Sequence, residues 1–474
     1  MAGDQQGVGL VHRIRRATHP VALGVLLLMT ACSGSSPEGL ILISVDTLRA
    51  DRLGSYGNEL GLTPHLDSLA SESLVFRNAF APAPFTLPSV SAMLTGRYPD
   101  QLGVQSNTAV LPGEIPTLAS WLGQRGWRSA AVVSNYVLRK KTRLDRGFDY
   151  YDAAMRSREQ VRGLPERSAD ATTASALRLL DLMSGRGSGP MFLWVHYQDP
   201  HGPYTAPAEW EAPAGPPPPG VEDRLLPTST DDRGLDSLPR YQALGDRRDT
   251  VSYRAAYHAE IRFMDEQIGR LLEGIDRRGL LDGSVVIFTA DHGESLGEGD
   301  RWFAHGEYLA ASETAVPLFL RIPGGAAGEL QRLSSPLDVF PTALAALGIE
   351  PPDQLSGEDL LDGSAREAPR TLWLSNLTVG SARRQALLTD GIRYVVTRRS
   401  DGEVEEFSWL GGDQGHEISP ERRASLRNTF RELRTRLGAS RPEKRQDLTR
   451  DECQNLRALG YLVEPSCDAL PATP

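Results

Sequence analysis

The chain has 474 residues and a formal net charge of −10, with 51 Lys and Arg against 61 Asp and Glu. It is 40% hydrophobic and 24% charged, close to globular averages, which excludes wholesale disorder and fibrous architecture. The acidic balance argues against a nucleic-acid partner, which calls for a basic stripe, and a single apolar run excludes a multi-spanning membrane protein.

That run is Val21–Ala31, preceded by Arg13, Arg15 and Arg16 and ending in Met29-Thr30-Ala31-Cys32. At ~1.5 Å per residue it is too short to cross a ~30 Å hydrocarbon core. A basic start, a short apolar stretch and small residues at its end predict a secretory signal over residues 1–31. Ser33-Gly34-Ser35-Ser36 then predicts a flexible tether over 32–38. The segment also resembles a bacterial lipoprotein signal, which implies cleavage before Cys32 and a lipid anchor on it, in the periplasm or at the outer membrane. In an exported chain Cys453 and Cys467, fourteen residues apart, are either a disulfide or two free thiols.

Beyond the tether, apolar runs alternate with amphipathic stretches, which predicts an α/β fold with a large, mostly parallel sheet flanked by helices. The buried strands are expected at Leu40–Val45, Ser129–Val133, Met191–His196, Val285–Thr289 and Pro317–Ile322, each apolar or β-branched throughout. Helices are expected from Thr63-Pro64 onward, over Pro116–Arg125, and over Tyr253–Arg278 with an apolar stripe at helical spacing. A Pro-rich stretch (EAPAGPPPPG) within 207–248 reads as an insertion into a domain spanning 39–365. Residues 366–474 read as a small antiparallel α+β subdomain and tail, with strands Thr371–Leu374, Ala386–Thr389, Tyr394–Thr397 and Glu405–Trp409 and a charged helix over Pro420–Leu437.

Polar residues gather where three of these strands end. The first runs into Asp46-Thr47, the third into His196-Tyr197-Gln198-Asp199-Pro200-His201, and the fourth into Asp291-His292-Gly293-Glu294. Ligands bind beyond the carboxyl ends of strands in open α/β sheets, so Asp46, Asp291, His292 and His201 share one edge. Carboxylates with imidazole suit a divalent cation. A fourth element, Thr86-Leu87-Pro88-Ser89, places Pro88 as the first residue of a helix and Thr86 just outside its N-terminus, where an anion is stabilised.

These stretches together resemble the sulfatase family of the alkaline-phosphatase superfamily. The resemblance rests on ILISVDTLRADRLGSYG, TPHLDSLASESLVFRNAF, TLPSVSAMLTGRYP, FLWVHYQDPHGPY, IFTADHGESLGE, AVPLFLRIPGG and SSPLDVFPTALAALGI, in the family's order over about residues 40–360. It implies metal ligands at Asp46, Asp291 and His292, a nucleophile at Thr86 that also faces the metal, and substrate contacts at His201, His305 and Asn107. The sequence departs from the family at four places. Thr86 replaces the Cys or Ser that becomes formylglycine, Val90 replaces an Arg, Thr47 replaces a second Asp, and Ser134-Asn135-Tyr136 replaces a Lys-x-His.

The resemblance therefore implies an exported hydrolase that uses one divalent metal (Ca²⁺, Mn²⁺ or Zn²⁺) to cleave phosphate or sulfate esters, phosphate esters and diesters preferred. The substrate would be a small or glycan- or lipid-borne anionic ester. His201 or His305 would protonate the leaving oxygen. Three alternatives stand beside this reading. One is transfer of the phosphate to envelope glycans or lipids. Another is a second metal on Asp199, His201 and His305, and the last is a decayed envelope binding protein.

Overall fold

A computed structural model describes residues 37–158, 164–185, 187, 189–229, 233–363, 369–376, 382–410, 417–438, 441–458 and 467. The expected signal, nearly all of the tether, and the boundary near residue 365 lie outside the described residues.

The large sheet is built from Gly39–Val45 (β1), Leu74–Ala79 (β2), Arg128–Val133 (β3), Tyr150–Asp152 (β4), Met191–Tyr197 (β5), Ser284–Ala290 (β6), Leu318–Arg321 (β7) and Gly328–Ser334 (β8). Its eight strands run in the order β8-β2-β7-β6-β1-β5-β3-β4. Strand β7 is antiparallel to β2 and β6, and the other pairings are parallel. All seven residues of β1 and of β6 are buried, as required of strands covered by helices on both faces. Sequence reading did not single out β2, β4 or β8, which lie at or near the sheet's edges, where apolar runs are short.

The helices that matter for the site are Thr86–Thr95 (α1), Ala169–Ser184 (α2) and Thr250–Asp276 (α3). Helix α1 begins at Thr86 itself, with Phe85 at the cap and Pro88 in the third position, not with Pro88 first as expected. The Pro116–Arg125 helix is shorter, Leu118–Gly123, and Thr117 caps it by accepting from the Ser120 amide at 3.1 Å. Among its described residues, segment 207–248 holds one short 3₁₀ turn, Arg240–Gln242. It is fastened to α3, because His258 Nδ1 lies 2.8 Å from the Pro213 carbonyl and Arg254 Nε donates to the Ala214 carbonyl at 2.9 Å.

The C-terminal part is an antiparallel meander of Thr371–Ser375 (β9), Arg383–Thr389 (β10), Ile392–Arg399 (β11) and Gly402–Trp409 (β12), followed by Pro420–Gly438 (α4). Cys453 and Cys467 are joined as a disulfide. Alternation in the meander sends its two sets of side chains to different partners. Trp373 and Tyr394 meet Phe430 of α4, with ring centroids 5.0 and 5.2 Å apart. Leu372, Leu374, Leu388 and Val395 pack with Phe80 and Leu309 of the large domain.

Two buried carboxylates fasten this second sheet. Asp100 accepts from Gln105 Nε2 (2.7 Å), Arg383 Nη2 (2.8 Å), Trp373 Nε1 (3.0 Å) and Ser375 Oγ (2.6 Å). Asp338 takes a two-pronged contact from Arg370, at 2.6 and 2.5 Å, with both side chains almost fully buried. Removing one partner of such a pair leaves an uncompensated buried charge. Arg370→Ala is therefore expected to lower unfolding stability by about 3–5 kcal/mol, read from urea denaturation of the purified protein.

Candidate active site

The pairing register brings the two acids together. Val45 of β1 pairs with Ala290 of β6, so the residues that follow, Asp46 and Asp291, leave the sheet side by side. The ladder continues one step further, since the Asp46 amide donates to Tyr197 O (2.9 Å) and the Asp291 amide to Val45 O (3.1 Å).

Each carboxylate is held by one oxygen and presents the other. Asn135 Nδ2 donates to Asp46 Oδ2, while Oδ1 has no hydrogen-bond partner. Asp291 Oδ1 accepts from the amides of His292 (2.7 Å) and Thr47 (3.3 Å), while Oδ2 has none. His292 is oriented by its neighbour. Its Nδ1–H donates to the Gly293 carbonyl at 3.0 Å, which leaves Nε2 unprotonated and aimed inward. That atom lies 3.5 Å from Asp46 Oδ1, 3.7 Å from Asp291 Oδ2 and 3.4 Å from Thr86 Oγ1. All four side chains are fully or almost fully buried.

Thr86 stands at the start of α1, where the first amides of a helix lack intrahelical partners. Asn107 Oδ1 accepts from the Leu87 amide at 3.0 Å, and its buried Nδ2 is left without a partner. Asn107 thus caps the helix beneath Thr86 and turns a donor toward the interior.

His196 is the residue that sequence reading passed over. It pairs with Ser44 in the register, two rungs below Asp46 and therefore on the same face. Ser44 Oγ accepts from the Trp194 indole at 2.9 Å and lies 2.8 Å from His196 Nδ1, leaving Nε2 buried without a partner. Asp46, His196 and Asp291 each offer one ligand atom within 4.8 Å of the others. The signal was present in the sequence, as a histidine inside an otherwise apolar strand.

His201 and His305 complete the edge. Their rings stand 5.1 Å apart, and His305 is 4.5 Å from the His292 ring. His201 Nδ1–H donates to Gly202 O at 2.8 Å, and its ring stacks on Tyr241 of the 207–248 segment at 5.8 Å. His305 Nδ1 lies 3.3 Å from Glu294 Oε1. The loop carrying His305 is clamped from behind. Buried Glu313 accepts from the amides of Gly306 (2.8 Å) and Tyr308 (3.2 Å) and pairs with Arg301 Nε at 2.9 Å. Gly306 has φ +93°, and a Cβ there would meet the Phe85 ring at 2.5 Å, so the turn after His305 requires glycine. Tyr241 Oη (3.2 Å) and Gln242 Nε2 (3.1 Å) donate to Phe303 O, so the insertion braces this loop as well.

Asp199 is not part of this arrangement. It interacts with Glu260, with Glu166 and Asp170 adding negative potential. Among the described residues it does not gather with His201 and His305 into a metal-holding group, so the ligand set expected for a second metal is not assembled.

The same edge holds a strained residue. Thr47, a β-branched residue, has φ +55°, and its carbonyl is held by Tyr257 Oη at 2.7 Å.

The site is electrostatically incomplete as a protein-only object. Burial raises Asp46 and Asp291 well above the usual carboxylate range, and Asp46 further raises Asp291. Burial also lowers His292 well below its ordinary value and takes His196 and His305 down to about 3. Glu294 is pushed up to about 8 by burial, against the pull of Arg301. Two buried, partnerless carboxylate oxygens beside unprotonated imidazole nitrogens fit a divalent cation, whose charge reverses the cost of ionising the acids. The mixed oxygen and nitrogen donor set matches Mn²⁺ or Zn²⁺ better than Ca²⁺, which takes oxygen alone.

Comparison with known proteins identifies the family and the fold. Residues 39–349 match the family model described as Sulfatase. Human iduronate 2-sulfatase is 30% identical over 62% of this chain, and the match spans 61% of that protein's length. The ulvan-active sulfatase of Formosa agariphila is 26% identical over 73% of this chain and 70% of its own. Among solved structures, a protein bound to its substrate D-glucosamine-2-N,6-O-disulfate superimposes with a TM-score of 0.69 at 18% identity, covering 86% of this chain and 99% of that one. The phosphonate monoester hydrolase of Agrobacterium radiobacter gives 0.65 at 21% identity, covering 85% and 95%.

The raised acids set a pH dependence. A carboxylate whose folded pKa lies above its unfolded value favours folding at low pH, and that contribution is lost as pH rises through the folded pKa. For Glu294 the window runs from roughly 4 to about 8, and Asp46 and Asp291 act with the same sign. His196, His292 and His305 oppose this below about 6.5, because with their lowered pKa the unfolded chain binds more protons there; metal-free protein is therefore expected to melt at progressively lower temperature from about pH 6.5 to 8. Added Mn²⁺ or Zn²⁺ should raise the melting temperature more at pH 8 than at pH 5, because binding displaces protons. Differential scanning fluorimetry across that range checks both trends, and Asp291→Ala should abolish the metal increment.

Proposed function

The chain belongs to the sulfatase family, and from that membership we propose that it is an exported, metal-dependent hydrolase of phosphate or sulfate esters, phosphate preferred, with Thr86 as nucleophile. The observation that carries the reading is a buried threonine hydroxyl 3.4 Å from His292 Nε2, beside the partnerless oxygens of Asp46 and Asp291.

Asp46 Oδ1, Asp291 Oδ2 and His292 Nε2 would hold one divalent cation, with His196 Nε2 as a further donor from below and Thr86 Oγ1 facing it. Such a cation supplies Lewis-acid charge that makes a neighbouring hydroxyl nucleophilic and steadies developing oxyanions. Thr86 Oγ would attack phosphorus or sulfur in line, its proton passing to the imidazole of His201 or His305, and form its own ester bond as the bond to the leaving oxygen breaks. The imidazolium so formed would give that proton to the leaving oxygen, and Glu294 would keep the His305 ring in place for the transfer. Water would next displace Thr86 from the phosphoryl or sulfuryl group and release the anion, its proton returning to Thr86 Oγ through the same imidazole. Asn107 Nδ2 is placed to donate to a non-bridging oxygen. An acceptor alcohol in place of water turns the same steps into a transfer reaction.

The preference for phosphate rests on composition. A threonine cannot become the formylglycine aldehyde implied for sulfatases by the family resemblance, and the position of the family's arginine is Val90, buried within α1. The curated relatives carry sulfatase names, so sulfate esters remain the second substrate arm.

The test is a panel of aryl phosphate, aryl phosphodiester and aryl sulfate with full-length protein and added Mn²⁺, Zn²⁺ or Ca²⁺. Turnover with Mn²⁺ or Zn²⁺ is expected, fastest on a phosphate ester, and Thr86→Ala should cut kcat by at least about a thousandfold. Undiminished activity in that variant sinks the nucleophile assignment. Silence on every ester, with a retained metal-dependent melting shift, favours the decayed binding protein. For export, mass spectrometry of the chain made in a bacterium should find a lipidated N-terminal Cys32, and Cys32→Ala should move the protein from the membrane to the soluble fraction.

A further inference from the structure

Two groups that shape the candidate site, Asn107 and Asn135, stand on loops that are both held by one stretch of chain, residues 441–458. The Gln446 amide donates to Thr108 O at 2.8 Å and the Val110 amide to Lys444 O at 2.8 Å, around an antiparallel bridge between Ala109 and Arg445. Gln446 Nε2 also donates to Ala109 O (3.2 Å), and Glu443 accepts from the Gln105 amide (3.1 Å). Asn107 lies between these fastened residues. Its side chain accepts from the Leu87 amide, next to Thr86.

The helix that follows, Arg450–Ala458 (α5), holds the second loop. Glu452 pairs with Lys141 (2.6 Å) and Arg139 (3.3 Å), and Asn455 Nδ2 donates to Tyr136 Oη at 3.3 Å. The Arg139 guanidinium lies over the Tyr136 ring at 3.8 Å. Tyr136 directly follows Asn135, whose Oδ1 accepts from the Val137 amide (2.8 Å) while its Nδ2 donates to Asp46 Oδ2. The two loops are also joined to each other, the Leu111 amide donating to Thr142 O at 2.9 Å. Helix α5 has only nine residues, and a helix of that length is marginal in water on its own. Buried Leu456, in the main core, and buried Cys453, bonded to Cys467, keep it in place.

We propose that this disulfide-closed tail is a positioning device for the site. It fixes Asn135, and through it the open oxygen of Asp46; it fixes Asn107, and through it the helix start that bears Thr86. Cation affinity at the edge formed by Asp46 and Asp291 therefore depends on a covalent bond in the tail. The inference rests on the metal-dependent hydrolase reading and adds Gln446, Glu452 and Asn455 as positioning residues, which act through Asn107 and Asn135.

Calorimetric titration of full-length protein with Mn²⁺, paired with hydrogen exchange at the Leu87 and Val137 amides, tests it. In Cys453→Ala/Cys467→Ala protein the Mn²⁺ affinity is expected to fall about tenfold. Both amides should exchange faster there, with the amides of β10 and β11 unchanged. Arg370→Ala, which acts on stability through Asp338, should leave the Mn²⁺ affinity of the folded protein as it is. Glu452→Ala keeps the disulfide and should also weaken Mn²⁺ binding, with faster exchange at Val137, and Glu452→Gln should restore most of the loss. Parent-like affinity and exchange in the double variant, no effect of Glu452→Ala, or equal weakening by Arg370→Ala overturns the proposal. If the double variant does not fold, the two Glu452 variants decide. A parent that binds no Mn²⁺ condemns the metal reading, and the exchange rates then decide the role of the tail. Silence on the aryl-ester panel, with Mn²⁺ affinity that follows the tail, condemns hydrolysis and not the positioning.

Discussion

Two buried carboxylates forced side by side are the constraint around which this molecule is arranged. Asp46 and Asp291 emerge from adjacent parallel strands whose register leaves them no choice of neighbour. Everything near them serves to orient one oxygen of each and to leave the other open. Asn135, the Thr47 and His292 amides and the Gly293 carbonyl are fixed groups of this kind. Folding the apo chain costs free energy at this spot, and only positive charge returns it. That is the usual economy of a functional site, where local rules of stability are broken and compensated elsewhere.

Compensation is visible in the sheets. The central strands β1, β5 and β6 are apolar on both faces apart from Ser44, His196, Tyr197, Ser284 and Thr289. The C-terminal meander is tied down through two buried carboxylates, Asp100 and Asp338, and both have their charges met by arginine. Among the described residues, by contrast, no Lys or Arg pairs with Asp46 or Asp291.

Much of this was legible in the sequence, for identifiable reasons. Long apolar runs marked β1, β5 and β6, and the meander's strands at 371–409 matched their expected positions closely. The Asp46, Asp291 and His292 cluster was readable because strand ends in such sheets point at one edge. His196 was not, because its meaning depends on register, a long-range property in which Ser44 and His196 meet across 152 residues. The part of Asn135 was equally hidden, since the sequence offered only the loss of a family motif. Asp199 misled for the opposite reason: two residues from His201 in the chain, its side chain finds Glu260 instead. Helix α1 starting at Thr86 places the hydroxyl inside the first turn, a shift too small for Pro88 alone to reveal.

The clamp behind His305 has a consequence in time. Buried Glu313 holds the Gly306 and Tyr308 amides and Arg301 at once, and the insertion's Tyr241 and Gln242 secure the Phe303 carbonyl, two residues before His305. A loop secured on both flanks does not open as a lid, because each excursion would strip a buried charge of its partners. The ordering cost of this loop is met once, when the chain folds, so that in the proposed reaction the His305 imidazole would need no search by its loop before a proton transfer.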